Sequence, residues 1–178
     1  YIKILKQNQK DGNREIIVSV NKIEKISKFI KNSKIEYHIA LKLIYNISTQ
    51  IFLLKQIDYG ITHFDIDDII VIDDGKKFLF INPSKITKIK FKLQKISKII
   101  RKNNFCPPEI LNLEVIPNKI HYKSSLYSLA LLVIFCLTKE SKVENPIELI
   151  DFIYATKLYW CLERCLVENP IKRYFYII

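Results

Sequence analysis

The chain has 178 residues, a formal net charge of +11, and 49% hydrophobic residues. This length and composition fit one compact domain with a buried core and exclude a disordered tail. The longest apolar run, residues 129–137, is too short to cross a bilayer and predicts a buried helix instead of a transmembrane segment. No signal peptide opens the sequence, so we expect a soluble, intracellular protein of the cytoplasm.

The N-terminal third combines strand and helix signals. Residues 14–20, REIIVSV, are rich in β-branched side chains and predict a strand. Asn21 is placed to cap a helix over residues 21–32, and a longer apolar pattern predicts a second helix over residues 35–57. Gly60 follows this second helix, and we expect it to be the left-handed C-cap.

An acidic loop and a β-hairpin come next. Residues 62–68 are predicted to form the loop, and strands over residues 69–72 and 78–81 flank the turn DDG. The aspartates of the loop could bind magnesium or calcium, but the loop lacks the glycine and the final glutamate of a calcium site. We therefore favour a solvated acidic loop.

Residues 84–104 form a basic stretch. Its basic side chains include Lys88, Lys90, Lys92, Lys95, Lys98 and Arg101. The first three alternate with apolar residues, which predicts a strand with one basic face, and the last three have helical spacing. The patch could bind nucleic acid, a phosphoprotein or an anionic membrane. We favour a solvated face that the acidic loop partly neutralises, because no nucleic-acid-binding motif accompanies the charge.

The C-terminal part is predicted to be helical. After the break at Pro-Pro-Glu, helices are expected over Ser124–Thr138, 146–153 and 157–167. The cysteines are Cys106, Cys136, Cys161 and Cys165, with no C-x-x-C pair and no histidine near the last two, so we expect reduced, buried thiols and no metal site. These elements together predict a mostly helical α+β domain with the hairpin packed at one end.

The order of these elements resembles the C-terminal lobe of a protein kinase. The motifs that carry the resemblance are GITHFD at 60–65 in place of H-R-D, FINPS at 80–84 in place of D-F-G, PPE at 107–109 in place of A-P-E, SSLYSLA at 124–130 at the start of the central helix, and ENPIKR at 168–173 in place of D-P-x-x-R.

The resemblance implies one C-lobe-like domain over residues 1–178. Within it, residues 1–20 would be a remnant of the hinge region and residues 84–109 would be an activation-segment-like stretch. The phosphate-binding N-terminal lobe would be missing from this chain. Similar kinase-like proteins are encoded by large DNA viruses, so the resemblance also implies a location in the host cytoplasm or in the virion.

The resemblance assigns a role to each residue of the degenerate site. Asp65 matches the aspartate that accepts the proton of the substrate hydroxyl in the family, while Asp68 and Asn82 stand near the positions that hold magnesium. Ile70 lies five residues after Asp65 and cannot bind a metal ion, and the amide of Asn82 is a weaker ligand than a carboxylate. Ser125 replaces an aspartate that orders the catalytic loop from beneath, and its hydroxyl could make only part of that bonding.

Two further residues match a buried ion pair of the family. Glu109 and Arg173 are both present, and a guanidinium fork suits a buried carboxylate. A chain that keeps this pair but loses its metal ligands is typical of a pseudokinase. The resemblance therefore implies a catalytically inactive domain without a cofactor, which binds other proteins as a scaffold or a structural component.

Two alternatives stay open. One is a serine/threonine kinase that uses ATP and magnesium and whose N-terminal lobe is missing from this chain. The other is a basic protein that binds nucleic acid or an anionic surface.

Overall fold

The computed structural model describes residues 3–10, 13–31, 33–98, 100, 102–140 and 145–175. Its strands are β1 (Lys3–Lys10), β2 (Asn13–Ser19), β3 (Ile23–Lys25), β4 (Tyr59–Ile61), β5 (Ile69–Ile72), β6 (Lys77–Phe80), β7 (Ile86–Lys90), β8 (Leu93–Ile96) and β9 (Asn118–His121). Its α-helices are α1 (Ile26–Phe29), α2 (Tyr37–Gln56), α3 (Pro108–Leu111), α4 (Ser124–Thr138) and α5 (Lys157–Cys165). Short 3₁₀ helices occupy Ile66–Asp68, Pro83–Lys85, Glu148–Ile153 and Pro170–Lys172. The predicted α+β class is confirmed.

The strands form three antiparallel sheets. β1 and β2 form a two-stranded ribbon, β3, β5 and β6 form a three-stranded sheet, and the third sheet has the order β4-β7-β8-β9. The predicted strand at residues 14–20 is confirmed by β2, whereas β1 and β9 were not predicted. The predicted hairpin is confirmed by β5 and β6, which are joined through a turn in which Asp73, Asp74 and Gly75 all have positive φ.

The helix predicted over residues 21–32 is wrong in its first half. Residues Ile23–Lys25 pair with β5, and only the single turn of α1 follows. Asn21 does not cap a helix, because α1 begins at Ile26 and Lys25 stands at its N-cap position. The backbone N–H groups of Asn21 and Lys22 donate instead to Oδ1 of Asp73, at 2.9 and 3.1 Å. The free edge of the hairpin supplies interstrand hydrogen bonds that outweigh the local helical pattern.

The hydrophobic core lies between α2, α4 and α5. The buried face of α2 is formed by Ala40, Leu43, Ile44, Ile47, Ser48 and Ile51, at the spacing that predicted this helix. α4 is buried on almost every side, which explains its unbroken apolar sequence. Apolar burial of this kind contributes about 25 cal/mol for each Å² removed from water.

The residue that ends α2 in the left-handed conformation is not the predicted Gly60. Asp58, with φ of 59°, is the residue in the left-handed conformation, while Gly60 lies inside β4. Gly60 has a different reason to be glycine, because a Cβ there would come within 2.8 Å of the amide nitrogen of Gln94. The glycine therefore permits close packing of the sheet instead of ending the helix.

The basic stretch is a hairpin instead of a strand followed by a helix. Phe91 and Lys92 both have positive φ and turn the chain back, so that β8 pairs with β7 on one side and with β9 on the other. Lys95 therefore lies in a strand, and Lys98 lies in a bend after it, which makes the predicted helical spacing wrong. Arg101 lies outside the described residues.

The C-terminal helices follow the prediction with one difference. α4 has the predicted bounds, and α5 ends two residues before the predicted position. The segment expected to be an α-helix from residue 146 is the 3₁₀ helix Glu148–Ile153, which is interrupted by the non-helical Ile150. Within the described residues, no helix is both long enough and apolar enough to span a membrane.

Candidate functional site

An open cleft with a volume of about 600 Å³ brings the acidic loop next to the start of the basic stretch. Its lining includes Thr62, His63, Asp65, Asp67, Asp68, Asn82, Ser84, Lys85, Lys95 and Lys98. The loop follows β4, and the 3₁₀ turn Pro83–Lys85, which connects β6 to β7, lies against it through hydrogen bonds of Asn82 and Lys85 to Asp68. The fold therefore brings Asp65, Asp68 and Asn82 into one cleft.

Asp65 caps the 3₁₀ helix Ile66–Asp68. Its Oδ1 accepts a hydrogen bond from the backbone N–H of Ile66 at 2.7 Å, and its own backbone N–H donates to Oδ2 of Asp68 at 2.6 Å. This reciprocal arrangement satisfies the donors at the start of the turn. The sequence after Asp65 folds in this way because an aspartate stands at each end of the short helix.

Asp68 is the most enclosed carboxylate of the cleft, with 4% of the residue exposed. Besides the N–H of Asp65, it accepts the ammonium of Lys85 on Oδ2 at 2.6 Å and the amide Nδ2 of Asn82 on Oδ1 at 2.7 Å. A buried carboxylate needs partners of this kind, because removing its charge from water is otherwise costly. Asp68 is thus neutralised from within the chain.

Asn82 is turned so that its amide oxygen faces away from Asp68. That oxygen accepts hydrogen bonds from the backbone N–H of Ser84 at 3.2 Å and from its hydroxyl at 2.6 Å, which caps the turn Pro83–Lys85. The group that faces Asp68 is the NH₂, a donor. Magnesium requires converging oxygen ligands. An ammonium and an NH₂ group occupy the coordinating oxygens of Asp68, so these residues do not fit a magnesium ion.

His63 lies beside this pair and is 5% exposed. Burial and, to a smaller extent, the positive charge of Lys85 lower the pKa of His63 to about 4, and Asp68 and Asp65 only partly oppose the shift. Its Nδ1 is 3.0 Å from the hydroxyl of Thr62. His63 is therefore a neutral, packed side chain at physiological pH.

The loop is anchored from beneath by residues that the sequence did not single out. The backbone N–H of Phe64 donates to the hydroxyl of Ser128 at 2.8 Å, and its carbonyl accepts from Nδ2 of Asn103 at 3.0 Å. Ser125, which was expected to contribute here, donates instead to the carbonyl of Tyr122 within its own helical turn. The sequence signal was the third serine of SSLYSLA, Ser128, which is three residues after Ser125 and therefore lies on the same face of α4.

Lys85 was also missed as an individual residue. It stood at the edge of a lysine-rich stretch, and nothing in the sequence separated it from its neighbours. Its side chain is 15% exposed, whereas Lys88, Lys90, Lys92, Lys95 and Lys98 are all exposed. Of the two ion pairs that the acidic loop makes within the described residues, one joins Lys85 to Asp68 and the other joins Lys25 to Asp67 at 3.5 Å. Lys85 belongs to the basic stretch of residues 84–104, so one of these pairs joins that stretch to the acidic loop. The exposed lysines from Lys88 to Lys98 form no ion pair with the loop within the described residues, although Lys95 and Lys98 line the same cleft.

Glu109 and Arg173 form a bidentate pair away from the cleft. Nη1 of Arg173 is 2.5 Å from Oε1 of Glu109, and Nη2 is 3.0 Å from Oε2. Arg173 is fully buried, also donates to the carbonyls of Val167 and Glu168, and stacks 4.7 Å from the centre of the Tyr127 ring. Burial alone would raise the pKa of Glu109, but the hydrogen bonds from Arg173 and Ser124 outweigh it and hold the pKa below its usual value.

No protein-family model matches the sequence, and no curated protein matches it. The resemblance to protein kinases therefore rests on the sequence motifs. The chemistry of the cleft rests on the contacts described above, and these do not depend on the resemblance.

Proposed function

We propose that the chain is a catalytically inactive, protein kinase-like C-lobe that acts by binding other proteins. The observation that carries this proposal is the ion pair between Lys85 and Asp68, together with the amide of Asn82 on the same carboxylate. The side chains of Lys85 and Asp68 are 15% and 5% exposed, so this is a largely desolvated pair. Lys85 supplies, as a tethered cation, the positive charge that Asp68 needs.

Replacing that tethered cation with a metal ion would be unfavourable. The ion would have to displace the ammonium of Lys85 and turn the amide of Asn82, so it would exchange contacts that already satisfy the carboxylate of Asp68. Asp65 is used as a helix cap, which ties its carboxylate to the backbone of its own loop. In this proposal the acidic loop, residues 62–68, corresponds to the catalytic loop of a kinase but serves only as a structural element that needs no metal.

Two observations support a role in binding. The pair Glu109–Arg173 holds the lobe together even though the catalytic groups have changed. A second, largely apolar groove of about 430 Å³ runs between α2 and the start of α4, with Phe52 and Tyr174 at its rim, 57% and 50% exposed. Apolar surface of this kind is typical of sites that bind other proteins.

The test is a thermal shift assay with ATP or ADP, with and without magnesium or manganese, on the wild type and on Lys85→Ala. A ligand that binds only the folded state raises the melting temperature by mass action. We expect no metal-dependent shift for the wild type. For Lys85→Ala we expect a lower melting temperature that divalent cations partly restore, because the variant leaves the carboxylate of Asp68 without its cation.

Lys77→Ala is the matched control, since Lys77 is exposed in β6 and makes no ion pair among those of the described residues. It should behave as the wild type does. A metal-dependent nucleotide shift in the wild type that Asp65→Asn or Asn82→Ala abolishes would contradict the proposal and favour the active-kinase alternative. Transfer of labelled phosphate to a generic substrate protein would do the same.

A further inference from the structure

Phe91 is the most exposed of the large hydrophobic residues that the structure describes, with 87% of its surface in water. It lies with Lys92 at the tip of the β7–β8 hairpin, where Lys90 pairs with Leu93. The φ angles of Phe91 and Lys92 are 52° and 65°. A two-residue turn of this kind prefers Asn-Gly, and the left-handed conformation costs other residues roughly 1–2 kcal/mol each. The hairpin therefore holds an aromatic ring in water at the expense of its own stability.

The strands behind this tip present a row of lysines. Lys95 on β8 is directly opposite Lys119 on β9, and the β7–β8 register, extended by one residue, sets Lys88 opposite Lys95. All three are exposed. Like charges directly opposite each other in a sheet are destabilising. This row therefore also reduces the stability of the isolated fold.

No acidic residue lies within β4, β7, β8 or β9. The carboxylates of the acidic loop line the same cleft as Lys95, but the ion pairs that the structure describes for them are with Lys85 and Lys25. The nearest acidic residues along the chain are Asp58, just before β4, and Glu114, which precedes β9. Lys123, just after β9, also lies near other positive charges. Burial lowers the pKa of Lys123, and the charges of Lys92 and Lys55 lower it further. A negatively charged partner would relieve this repulsion.

We propose that the hairpin tip and the lysine face behind it bind an anionic lipid bilayer. Phe91 would enter the interface between headgroups and acyl chains, and the lysines would contact the anionic headgroups. A protruding tip with one apolar ring suits a continuous surface, into which the ring can be inserted. Juxtamembrane lysines gain free energy from the negative surface potential without requiring a fixed geometry.

Single-stranded nucleic acid fits the same face less well. Its binding sites combine a positively charged groove with aromatic side chains on which successive bases stack. Here Phe91 lies on a protruding turn and not in a groove, and the basic side chains of these strands and the turn are lysines, with His121 at the edge. Lysine is a point charge and lacks the planar fork with which arginine recognises phosphates and bases.

The experiment is co-flotation of the whole chain with vesicles of phosphatidylcholine alone or of phosphatidylcholine mixed with phosphatidylserine. We expect binding only to the mixed vesicles, weakened by added salt. Phe91→Asn should raise the lipid concentration for half-maximal binding about tenfold, because the ring no longer enters the interface. Asn accepts the left-handed conformation better than Phe, so the variant should melt no lower than the wild type. The triple variant Lys88→Gln, Lys95→Gln, Lys119→Gln should lose about fivefold for each charge.

Matched controls separate this face from general charge and hydrophobicity. Phe152→Asn removes another exposed phenylalanine, 67% exposed, from a 3₁₀ helix elsewhere in the chain. A triple variant of the exposed Lys34, Lys77 and Lys157 to Gln makes the same change in net charge. Both controls should float as the wild type does.

Several results would overturn the proposal. They are equal binding to neutral vesicles, no binding to the mixed vesicles, or binding that Phe91→Asn and the first triple variant leave unchanged. A labelled single-stranded RNA oligonucleotide is tested in parallel. If the chain bound this RNA through the lysine face and did not bind vesicles, the proposal of a lipid bilayer as the partner would be wrong, and nucleic acid would be identified as the partner. Phe91 is not among the residues that line the cleft, so the result for Phe91→Asn does not depend on whether the cleft binds a metal or a nucleotide.

Discussion

Arg173→Met should be among the most destabilising single substitutions in this chain. The guanidinium of Arg173 is fully buried and donates to both oxygens of Glu109 and to the carbonyls of Val167 and Glu168. Methionine has a similar length and can fill part of the space beside Tyr127, so the main loss is polar. The carboxylate of Glu109, only 19% exposed, would be left without its cation, and two carbonyls would lose a donor.

The expected magnitude follows from these contacts. Breaking a buried ion pair by removing one partner costs roughly 3–5 kcal/mol. A domain of this size is stable by about 5–15 kcal/mol, so the substitution removes a large fraction of the total. The melting temperature should fall by roughly 10 °C, since each kcal/mol shifts it by about 2–4 °C at this chain length.

The assay is urea denaturation of Arg173→Met, Glu109→Gln and the double variant, with Arg164→Met as a control. Arg164 lies 5.5 Å from the ring of Tyr174 and is not fully buried, so its loss should cost less than about 1 kcal/mol. Glu109→Gln should partly rescue Arg173→Met, because it removes the unpaired buried charge. A loss of less than about 1 kcal/mol in Arg173→Met, or no coupling in the double-mutant cycle, would refute the reasoning.

Two further perturbations test the loop. Ser128→Ala leaves the buried N–H of Phe64 without an acceptor. It should therefore lower the free energy of unfolding by about 1–3 kcal/mol and speed hydrogen exchange at the amide of Phe64. The control Thr49→Ala, on the exposed side of α2, should have neither effect. His63, with a pKa lowered to about 4, contributes a stability loss as the pH falls from 6.5 towards 4, because the unfolded chain takes up the proton first. His63→Gln should therefore flatten the pH dependence of unfolding across this window by up to about 3 kcal/mol, and parallel curves for the two proteins would contradict the assignment.

The long periodic elements were predictable because their local pattern and their tertiary role agree. The apolar spacing of α2 and the unbroken apolar run of α4 each place their buried side chains where the core requires them. The D-D-G turn identified the β5–β6 hairpin for the same reason, since few residues other than glycine, aspartate and asparagine accept positive φ.

The failures occurred where a neighbour in space, and not in sequence, decided the structure. Ile23–Lys25 became a strand because β5 offered a free edge, and Lys95 entered β8 because Phe91 and Lys92 adopt a turn that their side chains do not favour. Propensity cannot anticipate either result, since both depend on hydrogen bonds to strands far along the chain.

The candidate site shows the same division. The sequence by itself determined which carboxylates and amides occupy the loop, and it located the Glu109–Arg173 pair, because the resemblance assigns those two positions a shared role. Only the tertiary structure decided that Lys85, among many similar lysines, reaches Asp68, and that Ser128 instead of Ser125 holds the loop. An ion pair between buried side chains depends on which residues the packed core leaves within 3 Å of each other, and this is a property of the assembled fold.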